Sequence, residues 1–169
     1  FPNMDFPVLT VQAVLEGDKL TISSGRGRYT LATLPATEFP ATDQVETLEL
    51  IKIQEVKLKN LLDKTAFAMA NQDVRYYLNG LLFDFHDGTL STVVTDGHRL
   101  AVCDLDKDLG LAEQRQLIVP RKGVLELSRM LSDGDGMVEL ALGKNHIRLV
   151  KGNSIFTSKL IDGRFPEYK

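Results

Sequence analysis

Four residues recur at a fixed interval in this chain. Gly17, Leu34, Phe39 and Pro40 reappear as Gly143, Leu160, Phe165 and Pro166, each 126 residues later. They sit in matching stretches, "GDKLTIS…RYTLATLPATEFP" and "GKNHIRL…IFTSKLIDGRFP". Self-similarity at a long fixed period marks an array of like structural units. The stretches read either as repeats of one small pattern or as chance similarity among short glycine-bounded strands.

Hydrophobic periodicity supplies that pattern. Leu58, Leu61, Leu62, Thr65 and Met69 fall at helical spacing, which predicts a helix over 57–70. "VPRKGVLELSRML" predicts a second over 120–131, with Pro120 in the first turn and Val124, Leu127 and Leu131 on the buried face. Strands are expected at 47–53 and 115–119 before the helices. After them come 78–85, 89–95 and 98–104, then 137–142, 146–150 and 154–160. Asp87-Gly88 suits the tight turn of a hairpin. Residues 46–169 thus read β-α-β-β-β twice, with helix starts about 63 residues apart. Residues 8–34 read as the three closing strands of a preceding unit. We expect an incomplete domain over 1–45 and a complete one over 46–169, a piece of a longer repetitive protein.

Composition narrows the function. The 169 residues are 43% hydrophobic and 25% charged, enough for a real core. No apolar run approaches the ~18 residues of a membrane span, and no secretory pattern opens the chain. A single cysteine excludes an internal disulfide or a multi-cysteine metal site and fits a reducing cytoplasm. Twenty basic residues against 23 acidic leave a net charge of −3, which opposes a bulk electrostatic grip on nucleic acid. Yet both expected helices are basic. Lys57, Lys59 and Lys64 stand against Asp63, and Arg121, Lys122 and Arg129 against Glu126, a local +2 in each. Such residues read either as solvated faces or as a positive surface for phosphates, blind to base sequence.

His98 lies near Asp96, Arg99 and Cys103, which raises the question of catalysis. A nucleophile needs a base held against it and a third group orienting that base. Strand alternation places His98 with Leu100 and Val102, and Cys103 on the other face with Arg99 and Ala101. No nucleophile elbow, phosphate-binding glycine loop or zinc-protease motif occurs, and His86 and His146 stand singly. Catalysis is not expected. "TDGHRL" reads either as an ordinary turn or as part of a peptide-capturing notch, with Thr95, His98 and Arg99 near Leu78 and Leu100. In "NQDVRYY", adjacent tyrosines in a strand would face opposite ways. An exposed one beside Arg75 and Gln72 could touch sugar, base or phosphate.

At "QDVRYYLNGLLF", "TDGHRLAVC", "VPRKGVLELSRML" and "FTSKLIDGRFPEY", the sequence resembles the bacterial DNA sliding clamps, the beta subunits of DNA polymerase III. The resemblance covers 46–169 as a middle domain, and the first 40 or so residues more loosely. It implies an α+β DNA-clamp fold of duplicated β-α-β-β-β units, antiparallel sheets outside and two helices on the inner face. It implies a non-catalytic processivity factor, without cofactor or metal, that closes head-to-tail as a homodimer around double-stranded DNA. Its partners would be the replicative polymerase, the clamp loader and other proteins carrying a clamp-binding motif. The matching peptide-pocket positions are Leu78, Thr95, Gly97, His98, Arg99, Leu100 and Pro166, the rest of that pocket lying beyond Lys169 and in a third domain. Arg121 and Lys122 match channel-lining positions, and Gln72, Arg75, Tyr76 and Tyr77 a loop near DNA.

Overall fold

The computed structural model describes residues 10–39, 46–105, 109–111 and 114–169. The chain divides into two compact units, 1–43 and 44–169. The expected boundary at residue 45, like Pro40, lies outside the described residues.

The first unit is an antiparallel meander of β1 (Val11–Glu16), β2 (Lys19–Ser24) and β3 (Gly27–Ala32), in that spatial order. Gly17 turns the first hairpin with φ 59°, a conformation that costs glycine little. Val11, Val14, Leu15, Tyr29 and Leu31 are exposed. The meander matches the strand order of the last three strands of the second unit, as the sequence repeat requires.

The second unit runs β4 (Thr47–Gln54), α1 (Glu55–Thr65), β5 (Gly80–His86), β6 (Thr89–Thr95) and β7 (Leu100–Leu105). It then repeats as β8 (Arg115–Pro120), α2 (Arg121–Met130), β9 (Met137–Gly143), β10 (His146–Lys151) and β11 (Ser154–Lys159). The two repeats exchange their first strands. One sheet has the order β11-β10-β9-β4 and the other β7-β6-β5-β8, so each strand before a helix completes the other repeat's sheet. All pairings are antiparallel, with Ile51 opposite Leu140 and Phe83 opposite Leu117. No helix among the described residues is long and apolar enough to cross a membrane.

Both helices serve one core. Leu58, Leu61 and Leu62 of α1 join Val124 and Leu127 of α2 and inward residues of both sheets in a single buried cluster. Full burial of each such side chain stabilises by about 1.5–3 kcal/mol. α1 packs on β6 and β7, α2 on β5 and β8, and the helices touch each other, so they share a side of the sheets. At Gly123 an added Cβ would stand 2.7 Å from Ser158 Oγ, which lets α2 approach β11 closely.

Several expected boundaries move, for local reasons. α1 begins at Glu55 rather than 57 and ends at Thr65 rather than 70. Thr65 Oγ1 bonds back to the Leu61 carbonyl at 2.7 Å, and the chain tightens into a 3-10 turn over Ala66–Ala68. Met69 is buried as expected but in extended backbone. Including Glu55 lowers the net charge of α1 to +1 rather than +2. Pro120 ends β8 and caps α2 from outside instead of entering its first turn. Leu78 and both tyrosines form a 3-10 turn, Tyr76–Leu78, not a strand, so the two rings meet edge to face at 5.8 Å instead of facing oppositely. β7 starts at Leu100 because the Asp96 carboxylate holds the N–H groups of His98 and Arg99 in a bend. Asp87 and Gly88, with φ 49° and 75°, make the expected hairpin turn.

A buried carboxylate knits the repeats together. Glu55, 5% exposed, accepts hydrogen bonds from Ser132 Oγ at 2.7 Å, from the Ser132 N–H and from Lys151 Nζ. Lys151 also reaches the Met130 carbonyl at 2.8 Å. The start of α1, the end of α2 and β10 are thereby tied at one point. The Lys151 ammonium, then the Ser132 hydroxyl, hold the Glu55 carboxyl down to about 2.

Because the folded value lies below the ordinary 4.5, the charged form of Glu55 stabilises fully above about 4.5, and that share fades as pH falls toward 2. Denaturant titrations of wild type and Glu55→Gln should differ most near neutral pH and converge on acidification. Gly80→Ala should cost roughly 1–3 kcal/mol in thermal melts, by overpacking, since its Cβ would lie 2.6 Å from the Val119 carbonyl oxygen. Gly123→Ala should cost less, because alanine favours helix by about 1 kcal/mol and the Ser158 hydroxyl can turn aside.

Candidate functional site

A hydrogen-bonded polar cluster on the second unit surrounds the turn between β6 and β7. Thr95 Oγ1 accepts the Gly97 N–H at 3.0 Å and donates to the Arg99 carbonyl at 2.7 Å. Asp96 Oδ1 accepts the N–H groups of His98 and Arg99, each at 3.0 Å, while Oδ2 takes Arg99 Nε at 3.0 Å. Those two backbone donors, chiefly, pull the Asp96 carboxyl below its usual range. Gly97 has φ 89°, a conformation that favours glycine.

A second loop is braced against this turn. Asn79 clamps residues 73–79 from within, its amide donating to the Asp73 carbonyl at 2.8 Å and accepting the Asp73 N–H at 2.9 Å. Arg75 grips Asp73 through Nε and a terminal nitrogen at 3.0 and 2.8 Å. That guanidinium, above all, lowers the Asp73 carboxyl to about 2. The same terminal nitrogen reaches the Asp96 carbonyl at 3.3 Å. The guanidinium also lies over Gly97, where a Cβ would come within 2.9 Å of both terminal nitrogens. Glycine here is required by the backbone conformation, whereas the flexible end of Arg75 could shift to admit a Cβ.

The third component is the segment after β11. Ile161 N–H bonds the Ile118 carbonyl at 2.9 Å, and the chain then crosses the outer face of the β7-β6-β5-β8 sheet as a strap. Phe165, 4% exposed, packs with Leu82, Val93 and Ile118 in a second core cluster.

Turn, loop and strap enclose a concavity of about 290 Å³. Five of the seven expected peptide-pocket residues meet there: Leu78, Thr95, Gly97, Leu100 and Pro166. Leu78 is a buried floor at 2% exposure, while Leu100 is half exposed. The other two lie outside the lining. Arg99 turns away to the Phe67 carbonyl at 2.9 Å and places its guanidinium 5.6 Å from the Phe67 ring centre. His98 contributes its N–H to the bend, and Cys103 packs against the main core from β7. Arg75 and Tyr77, read from sequence as DNA-facing, line the concavity. Phe165, Glu167 and Tyr168 complete it and were missed; the Phe165–Phe39 repeat was the available signal. A larger hollow of about 520 Å³ across the strap is lined mainly by charged and amide side chains, with Phe165, Pro166 and Tyr168 as its apolar part.

The expected DNA-facing residues fall into two groups that adjoin. Arg121 N–H bonds the Asn79 carbonyl at 2.8 Å, joining the start of α2 to the 73–79 loop. Lys122 is exposed, whereas Arg121 is half-buried with its guanidinium 3.4 Å from the Met69 carbonyl. Gln72, at φ 59°, and Tyr76 are exposed on the loop. On α1, Lys59 pairs with Asp63 at 2.7 Å and Asp133 at 3.3 Å, which blunts its charge toward outside partners.

Comparison with known proteins places this arrangement. The model of the DNA polymerase III beta subunit, central domain, matches residues 52–167. The beta sliding clamp of Pseudomonas aeruginosa is 51% identical over 155 residues, covering 92% of this chain and 42% of that protein. That of Escherichia coli strain K12 is 49% identical over the same shares. The crystal structure of the P. aeruginosa DNA polymerase III subunit beta superimposes with a TM-score of 0.82 at 49% identity, over 95% of this chain and 44% of that one. A P. aeruginosa sliding clamp bound to griselimycin gives 0.80 at 49% identity, over 95% and 43%. The chain thus spans about two-fifths of the length of these relatives. With its duplicated, strand-exchanged repeats and a family match over residues 52–167 of the second unit, the chain belongs to the DNA polymerase III beta subunits, the beta sliding clamps, and carries their central domain.

Proposed function

We propose that the protein carrying this chain is a processivity factor. It encircles duplex DNA as a head-to-tail ring and tethers polymerase and other partners through the concavity beside the 95–100 turn. The observation that supports this reading most is the convergence of three separate segments on one apolar notch, in a family of clamps. A ring holds DNA topologically, so its contacts can stay weak and sequence-blind, which permits sliding. An acidic protein whose two helices each carry net positive charge suits such a ring, because the outside repels phosphate while the lining tolerates it. The protein transforms no substrate in this reading. Arg75 belongs to the pocket wall, since Asp73 already engages its guanidinium. Lys122, exposed at the head of α2, is a DNA contact, supported by Arg121.

The pocket takes a short peptide with adjacent apolar side chains. Leu78 forms the floor and Thr95 and the strap supply polar hooks. In the full-length protein, a short fluorescein-labelled peptide with two adjacent large apolar residues should bind and be displaced by griselimycin. Leu100→Ala is a cleaner probe than Leu78→Ala, because truncating a buried leucine costs about 2–5 kcal/mol of stability. Leu100→Ala should weaken peptide binding about tenfold, and His98→Ala, outside the lining, by less. Unchanged affinity in Leu100→Ala would end the pocket reading.

For DNA, Arg121→Ala combined with Lys122→Ala should weaken binding equally across sequences and reduce the slope of log affinity against log salt by about one to two. Lys122→Ala alone should account for most of it. A loss confined to particular base sequences, measured by anisotropy on unrelated duplexes, would contradict sliding.

A further inference from the structure

The outer face of β5 holds a polar pair that neither the core nor the DNA surface uses. Asp84 is 6% exposed, flanked by Phe83 and Phe85, and its Oδ2 accepts the phenol proton of Tyr168. An unpaired buried carboxylate is costly, so the bond is retained only if Tyr168 stays docked. Burial, then the neighbouring carboxylate, raise the Tyr168 phenol above its ordinary value, which keeps it protonated as the donor.

We propose that Asp84 and Tyr168 form a latch that holds one wall of the peptide pocket, with Asp84 a positioning residue that acts through Tyr168 of the lining. The inference rests on the pocket reading above. Pro166 and Glu167, exposed on the wall, lie between two anchors on the strap. On the near side, Phe165 is sunk in the Leu82, Val93 and Ile118 cluster, and a Cβ on Gly163 would lie 3.4 Å from atoms of Tyr76 and Tyr77. Toward its other end the strap is held by Tyr168, through its bond to Asp84 and its contact with the same cluster. With one anchor loosened, the wall samples undocked positions. The apparent affinity then falls by the fraction of molecules that keep it in place. The latch acts on the ligand through the wall, since Asp84 itself does not line the concavity.

The test uses the full-length protein, the fluorescein-labelled peptide with two adjacent large apolar residues, and amide exchange. Tyr168→Phe keeps the ring but deletes the donor. It should weaken peptide binding about tenfold, mainly by slower association, with faster exchange over 165–169 and unchanged exchange in β5 and β6. Asp84→Asn, whose amide oxygen still accepts the phenol proton, should retain most of the affinity. Asp84→Ala combined with Tyr168→Phe should lose little more than either alone. Even if Asp84→Ala folds poorly, the comparison of Tyr168→Phe with Asp84→Asn decides the matter. Tyr168→Phe binding like wild type while Leu100→Ala binds weakly would overturn the latch alone. Absence of peptide binding in wild type would overturn the pocket reading and the latch with it.

Discussion

Strand β5 is buried on both faces, and the placement of the candidate site follows from that burial. Leu81, Phe83 and Phe85 point into the helix-bearing core, while Leu82 and Asp84 point the opposite way, beneath the strap. An antiparallel sheet commonly leaves one face to water. Here the covered outer face forces the chain after β11 to return across the sheet. That return brings Pro166 alongside Leu78 and Leu100, residues far away in sequence. The pocket is a consequence of covering a strand that is buried on both sides.

Exchange of first strands between the repeats gives the second unit its cohesion. β4 completes the sheet of the second repeat and β8 that of the first, so neither repeat closes its sheet alone. The Glu55 cluster reinforces the exchange where α1, α2 and β10 meet. An isolated buried charge is unfavourable, and this carboxylate is tolerated because an ammonium, a hydroxyl and a backbone N–H satisfy it together.

Charge in this protein serves architecture more than it serves outside partners. Asp73 and Asp96 organise two neighbouring loops, and the guanidinium of Arg75 spans them. Lys59 and Arg129 pair on their own helix surfaces. The cationic surface left for phosphate is smaller than a count of lysines and arginines suggests. Weak contact of that kind is compatible with the sliding ring proposed above.

Repeat period, helix faces and hairpin turns were legible in the sequence because they are local or periodic: Leu58, Leu61 and Leu62 need only a helical pitch, and Asp87-Gly88 only a tight turn. So were Leu78, Thr95, Gly97, Leu100 and Pro166, through the distinctive stretches that contain them. The 3-10 turn at the tyrosines, the early start of α1 and the bend at His98 were not, since each depends on a side-chain hydrogen bond or packing contact that periodicity does not encode. The elements and their duplication were thus written in the order of residues. The sheet that each first strand joins, the turn of Arg99 toward Phe67 and the meeting of Tyr168 with Asp84 emerge only in the packed chain. The reason is physical: pattern specifies which face of an element is apolar, whereas the partner of that face is chosen by long-range packing.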